Sequence, residues 1–284
     1  MAKEMVKPTD QSAPPVVYKR FEPLRPVRVA WLFYRLGVMN ELQYRANFFV
    51  QLGQSILQLG TGLAVLALVF GQTTQLNGWT KPQLLAVLGV QILMGGVIHT
   101  FIQPNMTRLL EEVRLGKLDF ALTKPEDAQV IVSVRELQIW QSVDILSGIV
   151  VLIVALVQLG HGVGAFDALG FLAALIMGGV LIYCFWMVIT TGAFWLVRMD
   201  DVVELFEGVF QTGRWPVGTY PRWLRVGLTY MMPIAFAVTV PAEALTARLN
   251  GMTLVFALAL TIAFLAFTRW FWRRGLKRYS GASA

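Results

Sequence analysis

ANFFVQLGQSILQLGTGLAVLALVFGQTTQLNGWT, residues 46–80, contains no Asp, Glu, Lys or Arg. A helix rising 1.5 Å per residue needs about 20 apolar residues to cross ~30 Å of hydrocarbon, and the apolar centre between Phe48 and Phe70 has that length. Four further stretches repeat the pattern: about 84–102 between Lys81 and Arg108, 137–159 interrupted by Asp144, 168–197 between Asp167 and Arg198, and 252–267 ending at Arg269. Charge is confined to the segments between them, the signature of a membrane bundle rather than of an apolar globule.

Composition agrees. The chain is 56% hydrophobic and 14% charged, against about a quarter charged in ordinary soluble domains, and a lipid solvent accounts for the deficit. The net charge of +7 comes from basic residues flanking the apolar stretches, with no basic stripe interleaved with exposed aromatics, so anionic lipid headgroups rather than nucleic acid are the expected partner. The lone cysteine, Cys184, lies inside an apolar run and reads as a small core residue.

A sixth crossing is needed near residues 201–245, and two registers supply it. Hydropathy selects 226–242, but that stretch is short and holds Pro233 and Pro241, which break or kink a helix. In the other register the crossing starts near Asp201, runs through VVELFEGVFQTG, and leaves about 222–245 as a re-entrant hairpin, tolerated at depth only when protein buries it. In the hydropathy register, all Lys and Arg but Lys81 and Arg248 gather on one side; moving Arg214, Arg222 and Arg225 across leaves the bias standing. Both termini are therefore expected in the cytoplasm.

Residues 1–23 carry Lys3, Lys7 and several prolines without an apolar core, and are expected to be a disordered cytoplasmic tail rather than a cleaved signal. Residues 24–45, LRPVRVAWLFYRLGVMNELQYR, place Arg28 and Arg35 on one helix face, fitting an amphipathic helix in the membrane interface or a helix packed on its own protein. Residues 46–268 form the expected six-helix transmembrane domain, and 269–284 a basic cytoplasmic tail. Stretches between spans reach only about 30 residues, too short for an independent core, so any energy-converting domain belongs to another chain.

The stretch NMTRLLEEVRLGKLDFALTKPED, 105–127, is the most informative cytoplasmic segment. Asn105 can cap a helix of about 105–117 in which Arg108 and Glu112 are spaced i, i+4, Leu109, Leu110 and Val113 share a side, and Gly116 ends the run. It reads either as a docking element with its leucine face in a partner's cleft or as a connecting loop. In the fourth span Gly170, Ala174 and Gly178 make a flat stripe for close helix packing, within the subunit or across a dimer. Asp144 at depth must be paired, protonated or wet, either on a transport pathway or bonded to a neighbouring helix near the boundary. His99 and His161 lie far apart without Cys or carboxylate companions at ligand spacing, so no metal site is expected. No GxxxxGK, GxSxG or HExxH motif occurs.

These pieces resemble an ABC-2-type permease. The resemblance rests on Gly116, Lys117, Leu118, Asp119, Phe120, Lys124 and Pro125, and on Arg214, Pro216, Tyr220, Pro221, Trp223, Leu224, Pro233, Phe236, Pro241 and Ala242. The basic aromatic ending RWFWRRGLKRYSGASA is a third match, and only the proline-rich N-terminal tail departs from the family. The resemblance implies an all-α polytopic permease of six transmembrane helices in the bacterial inner membrane. Such a permease pairs with a second permease subunit, identical or related, over two cytoplasmic ABC ATPases that bind ATP and Mg, with no cofactor on this chain. It further implies that residues 106–117 are the coupling helix, with Arg108, Leu109, Leu110, Glu111, Glu112, Val113, Arg114, Gly116, Lys117 and Asp119 at the ATPase contact. The family's re-entrant half-helices favour the second register. Glu204 and Glu207 join Asp144 as candidate pathway residues, the glutamates alternatively binding the N-terminal interface helix, and the expected cargo is amphipathic or lipid-linked. A proton-coupled carrier and a membrane-embedded lipid transferase are the competing expectations, both drawing on Asp144.

Overall fold

The structure, a computed structural model, describes residues 31–32, 34–35, 38–39, 45–124, 127–160, 164–195 and 201–279. The expected tail 1–23 lies outside them. Of the expected interfacial helix only a few residues are described; Trp31, Leu32, Tyr34 and Arg35 are helical and exposed. Trp31 and Tyr34 stack at 5.5 Å and border a cavity of about 370 Å³ together with Phe101, Ser133 and Leu137.

Among the described residues five helices are long and apolar enough to cross a bilayer, six if a bent pair counts as one span. The chain is thus an all-α, polytopic membrane protein. The second long helix, α2 (Lys81–Val97), is the hub, with Leu84 through Gly96 all buried. The first, α1 (Arg45–Gln72), and α6 (Ser142–Leu159) flank it; α7 (Ala165–Gly192) and α11 (Gly251–Leu276) complete the set.

Helices in lipid gain little by hiding apolar surface from one another, so their association depends on close approach. On α2, Gly89, Leu93 and Gly96 share a face. Against it α6 sets Leu152, Gly148 and Ile145 in antiparallel register. A Cβ on Gly96 would stand 2.6 Å from the Ile145 nitrogen, one on Gly148 2.5 Å from the Leu93 nitrogen, and one on Gly89 2.9 Å from Leu152. A second close contact uses the stripe noted in the sequence. Ala174 is buried, and a Cβ on Gly178 would meet the Phe236 carbonyl at 2.5 Å, so the stripe faces a neighbouring segment of the same subunit; Gly170 has only ordinary contacts with Leu249 and Ala244.

That neighbouring segment is the proline-bearing stretch. α9 (Arg222–Val226) continues through a π turn to Met231, the chain bends by 80°, and a second π turn leads into α10 (Val240–Leu245). Both limbs end together. Arg225 donates to the Gly218 carbonyl at 2.7 Å, Asn77 donates to the same carbonyl at 3.0 Å, and Arg248 donates to Gly78 at 2.7 Å while standing 4.4 Å over the Trp79 ring. Residues 76–79 make the tight reversal between α1 and α2, with Asn77 at φ 52° and Gly78 at φ 79°, the left-handed pair such a turn requires. The bent pair is therefore a hairpin opening at the α1–α2 turn.

The segment before it is α8 (Val202–Phe210), extended by a 3-10 turn (Gln211–Arg214). Phe206 packs on Trp186 near the opposite end of the bundle, while Gly213 lies beside Gln91 and Ile234. At that opposite end, Phe48 of α1 meets Trp140 and Tyr279 beyond α11 meets Leu118, so the start of α1 and the end of α11 share one end.

Gly148→Ala is expected to lower detergent stability by about 1–3 kcal/mol, because its Cβ meets backbone that cannot yield. Gly179→Ala, with nothing within 4 Å, should melt like the parent in the same thermal-denaturation assay.

Candidate functional site

The expected coupling helix is not a separate element. α2 passes through a π turn (Ile98–Ile102) into α3 (Gln103–Arg114), forming one continuous helix of 34 residues. At 1.5 Å per residue this is about 50 Å, well beyond the hydrocarbon, so α3 is the projecting end of the central helix.

Asn105 consequently does not cap it. Its buried amide donates to the carbonyls of Phe101 and Glu136, each at 2.8 Å, and accepts from the Glu136 nitrogen at 2.8 Å. Gly116, at φ 66°, does end the helix, with Lys117 N–H donating to the Glu112 carbonyl at 2.8 Å and Gly116 N–H to Val113 at 3.3 Å.

The leucine face is also turned otherwise than expected. Leu109 and Met106 are wholly buried inside the subunit, and Leu110 and Val113 are half-buried. Leu109 therefore leaves the expected docking set. The face left open is mainly polar, with Thr107, Arg108, Glu111, Arg114 and Lys117 exposed beside Leu115.

A charged network holds α3 to the segment after it. Arg135 donates both terminal nitrogens to Glu112, at 3.0 and 2.6 Å, a fork-to-fork pair whose side chains are 8% and 15% exposed. Arg108 donates to Glu112 at 3.1 Å and to Glu136. Glu112 is thus internal structure, whereas its neighbour Glu111 faces outward. Beyond Gly116, α4 (Asp119–Leu122) begins at Asp119, which interacts with the Tyr279 hydroxyl; that hydroxyl accepts from Leu118 N–H at 3.0 Å.

The next short helix, α5 (Ala128–Val134), is capped by Asp127, which accepts from Gln129 N–H at 2.9 Å. Arg269 of α11 pairs with the same carboxylate and donates to Gln129 Oε1 at 2.7 Å. This guanidinium, aided by the backbone donor, holds the Asp127 carboxyl below the ordinary carboxylate range.

The π turn carries a second connection. His99 Nε2 lies 2.9 Å from Glu207 Oε1 and ties α8 to the central helix. A polar cleft of about 710 Å³ opens here, bordered by His99, Gln103, Thr107, Glu111, Glu136 and Glu207. Glu204 lies on the outward face of α8 with Leu205 and Gly208. Asp144 does not join them. It is buried in the first turn of α6 and accepts from Gln51 of α1 at 3.1 Å, one turn from a Ser55–Ser147 contact of 3.2 Å. Such interhelical bonds average about 0.6 kcal/mol in membranes, enough to orient α1 on α6.

The fold is that of a multi-pass membrane subunit with its polar machinery at one end. The model of the ABC-2 family transporter protein matches residues 56–283, and the chain belongs to that family: it is a permease of an ABC transporter. Comparison with curated proteins and with solved structures finds no match.

A folded-state carboxyl held below its unfolded value stabilises above the ordinary carboxylate range and loses that contribution as pH falls through the folded value. Thermal melts between neutral pH and about pH 3 should show this loss at the Asp127–Arg269 pair, spanning the ordinary Asp value of ~3.9 and below, and Asp127→Asn should flatten that part of the profile.

Proposed function

We propose that this chain is the permease half of an ATP-driven exporter of the bacterial inner membrane, moving an amphipathic cargo outward. It pairs with a second permease subunit over two cytoplasmic ATPases, which bind the ATP and Mg. The observation that carries this reading is the rigid continuity of α2 and α3: the exposed polar face of α3 stands on the same helix that fills the centre of the bundle. A push on α3 reaches the core without crossing a loop, and α3 cannot swing freely because Asn105 and the Arg135–Glu112 pair fix it to residues 135–136.

Closure of the ATPases on nucleotide supplies the differential free energy, and the helices rock between inward- and outward-open arrangements. The coupling residues are then Arg108, Glu111, Arg114, Lys117 and Asp119, with Glu112 and Gly116 shaping the helix. The hairpin of about 222–245 re-enters from the outer face, with both termini cytoplasmic. Glu204 supports a second permease or a wet path beside α8, because a carboxylate facing bare lipid at this depth is costly.

The purified chain is expected to hydrolyse no ATP until joined by its ATPase. Glu111→Lys should weaken ATPase assembly by about tenfold, ~1.4 kcal/mol, at an unchanged melting temperature; Glu112→Lys should lower both. Normal assembly and transport in Glu111→Lys and in an Arg114→Glu, Lys117→Glu double variant would remove α3 from the coupling role.

A further inference from the structure

Counted from Gly251 at 1.5 Å per residue, Ala266 lies about 22 Å along α11, and Lys277, which follows the helix, about 39 Å. This stretch therefore passes out of the ~30 Å of hydrocarbon into the headgroup layer. Residues four apart form ridges on a helix, here Arg269, Arg273 and Lys277 beside Ala266, Trp270 and Arg274. All six border one groove-shaped cavity of about 370 Å³.

Its charge is uncompensated. Arg108 and Arg135, in the polar layer at the same end of the bundle, each hold a carboxylate, and Arg269 holds Asp127. Arg273, Arg274 and Lys277 are exposed and have no acidic partner among the described residues; Arg274 stands 5.6 Å over the Trp270 ring. Like charges four apart on a helix repel, so Arg273 between Arg269 and Lys277 is an unfavourable arrangement that an anion relieves.

A helix C-terminus draws cations through its dipole, and topology draws them to one side of the membrane. Neither gathers them around a groove that an indole and an exposed alanine continue toward the hydrocarbon. The order along the groove, Ala266, Trp270, then guanidinium and ammonium groups, is the order of acyl chain, glycerol and phosphate in a phospholipid. Arginine forks match phosphate oxygens, and basic pockets at the ends of membrane helices take acidic headgroups. We propose that this groove is a discrete site for one anionic phospholipid, its phosphate held by Arg273, Arg274 and Lys277 and an acyl chain lying beside Ala266. Arg269 borders the groove and also pairs with Asp127, the cap of α5, so the headgroup sits where α11 joins α5.

The test is native mass spectrometry of the full-length chain, released from uncharged detergent after titration with dioleoylphosphatidylglycerol, dioleoylphosphatidylcholine or inorganic phosphate. No ATPase is present, so failure here leaves the coupling reading untouched. One phosphatidylglycerol per chain is expected to be retained at concentrations where phosphatidylcholine is not. The double variant Arg273→Gln, Lys277→Gln should weaken that binding by about tenfold or more. Ala266→Trp keeps every charge while filling the groove, and should weaken it comparably. Arg278→Gln, exposed at the same helix end but outside the cavity, should bind like the parent.

Full affinity in Ala266→Trp, or equal weakening by Arg278→Gln, overturns the inference, because the lipid is then drawn by bulk charge alone. Inorganic phosphate retained as tightly as phosphatidylglycerol, with the same dependence on Arg273 and Lys277, also overturns it and makes the ligand a water-borne anion. If the double variant does not fold, Ala266→Trp decides, since its position is exposed and its charge unchanged.

Discussion

Leu93 rests in the notch left by Gly148, and Ile145 and Leu152 rest on Gly96 and Gly89 in return. This reciprocal contact between α2 and α6 brings backbone against backbone, the approach that dispersion needs where lipid offers no hydrophobic drive. Everything else takes its place from it. With one face of α2 closed by α6, its remaining faces receive the hairpin and the turn at Gly213, while α7 holds the hairpin from behind through Gly178. α1 then attaches to the α2–α6 pair largely through Gln51, Ser55 and a few apolar residues, and most of its surface stays open.

A central helix packed this tightly transmits displacement. Because α2 continues into α3 through a π turn, the projecting end and the core move as one body unless that turn yields, and π turns are frequent where function is carried. The turn is braced on two sides: the Thr100 carbonyl accepts from Gln138 N–H at 3.2 Å, and His99 holds Glu207. Arg269 and Tyr279 bring the end of α11 into the same assembly through Asp127 and Leu118. Elements distant in sequence thus converge on a short polar layer at one end.

The long helices were legible because charge cannot be placed inside them, a constraint visible residue by residue. The end of the α3 stretch was legible too, since Gly116 supplies the left-handed residue that stops it. Its beginning was not: IHTFI carries no glycine, proline or charge to announce a π turn, and Asn105 has the chemistry of a cap while its partner, Glu136, lies far along the chain. The direction of the leucine face depended on α7, whose Thr190 hydroxyl meets Met106 sulfur at 3.8 Å, a tertiary fact absent from local periodicity. Gly170, Ala174 and Gly178 were conspicuous as a regular stripe; the tighter contact at Gly96 and Gly148 was hidden because its halves belong to different helices. The bend within 222–245 was suggested by Pro233 and Pro241, which hydropathy alone does not register.

The segment from Val202 to Arg214 shows how these constraints meet. Its lower carboxylate, Glu207, is bonded to the helix that carries α3, so any displacement of α3 that disturbs the π turn acts directly on this segment. Its upper end, at Arg214, faces the level of the hairpin bend, where Gly213 touches Ile234 and Val238. A displacement of the π turn is therefore carried along one short helix from the polar layer to the bend.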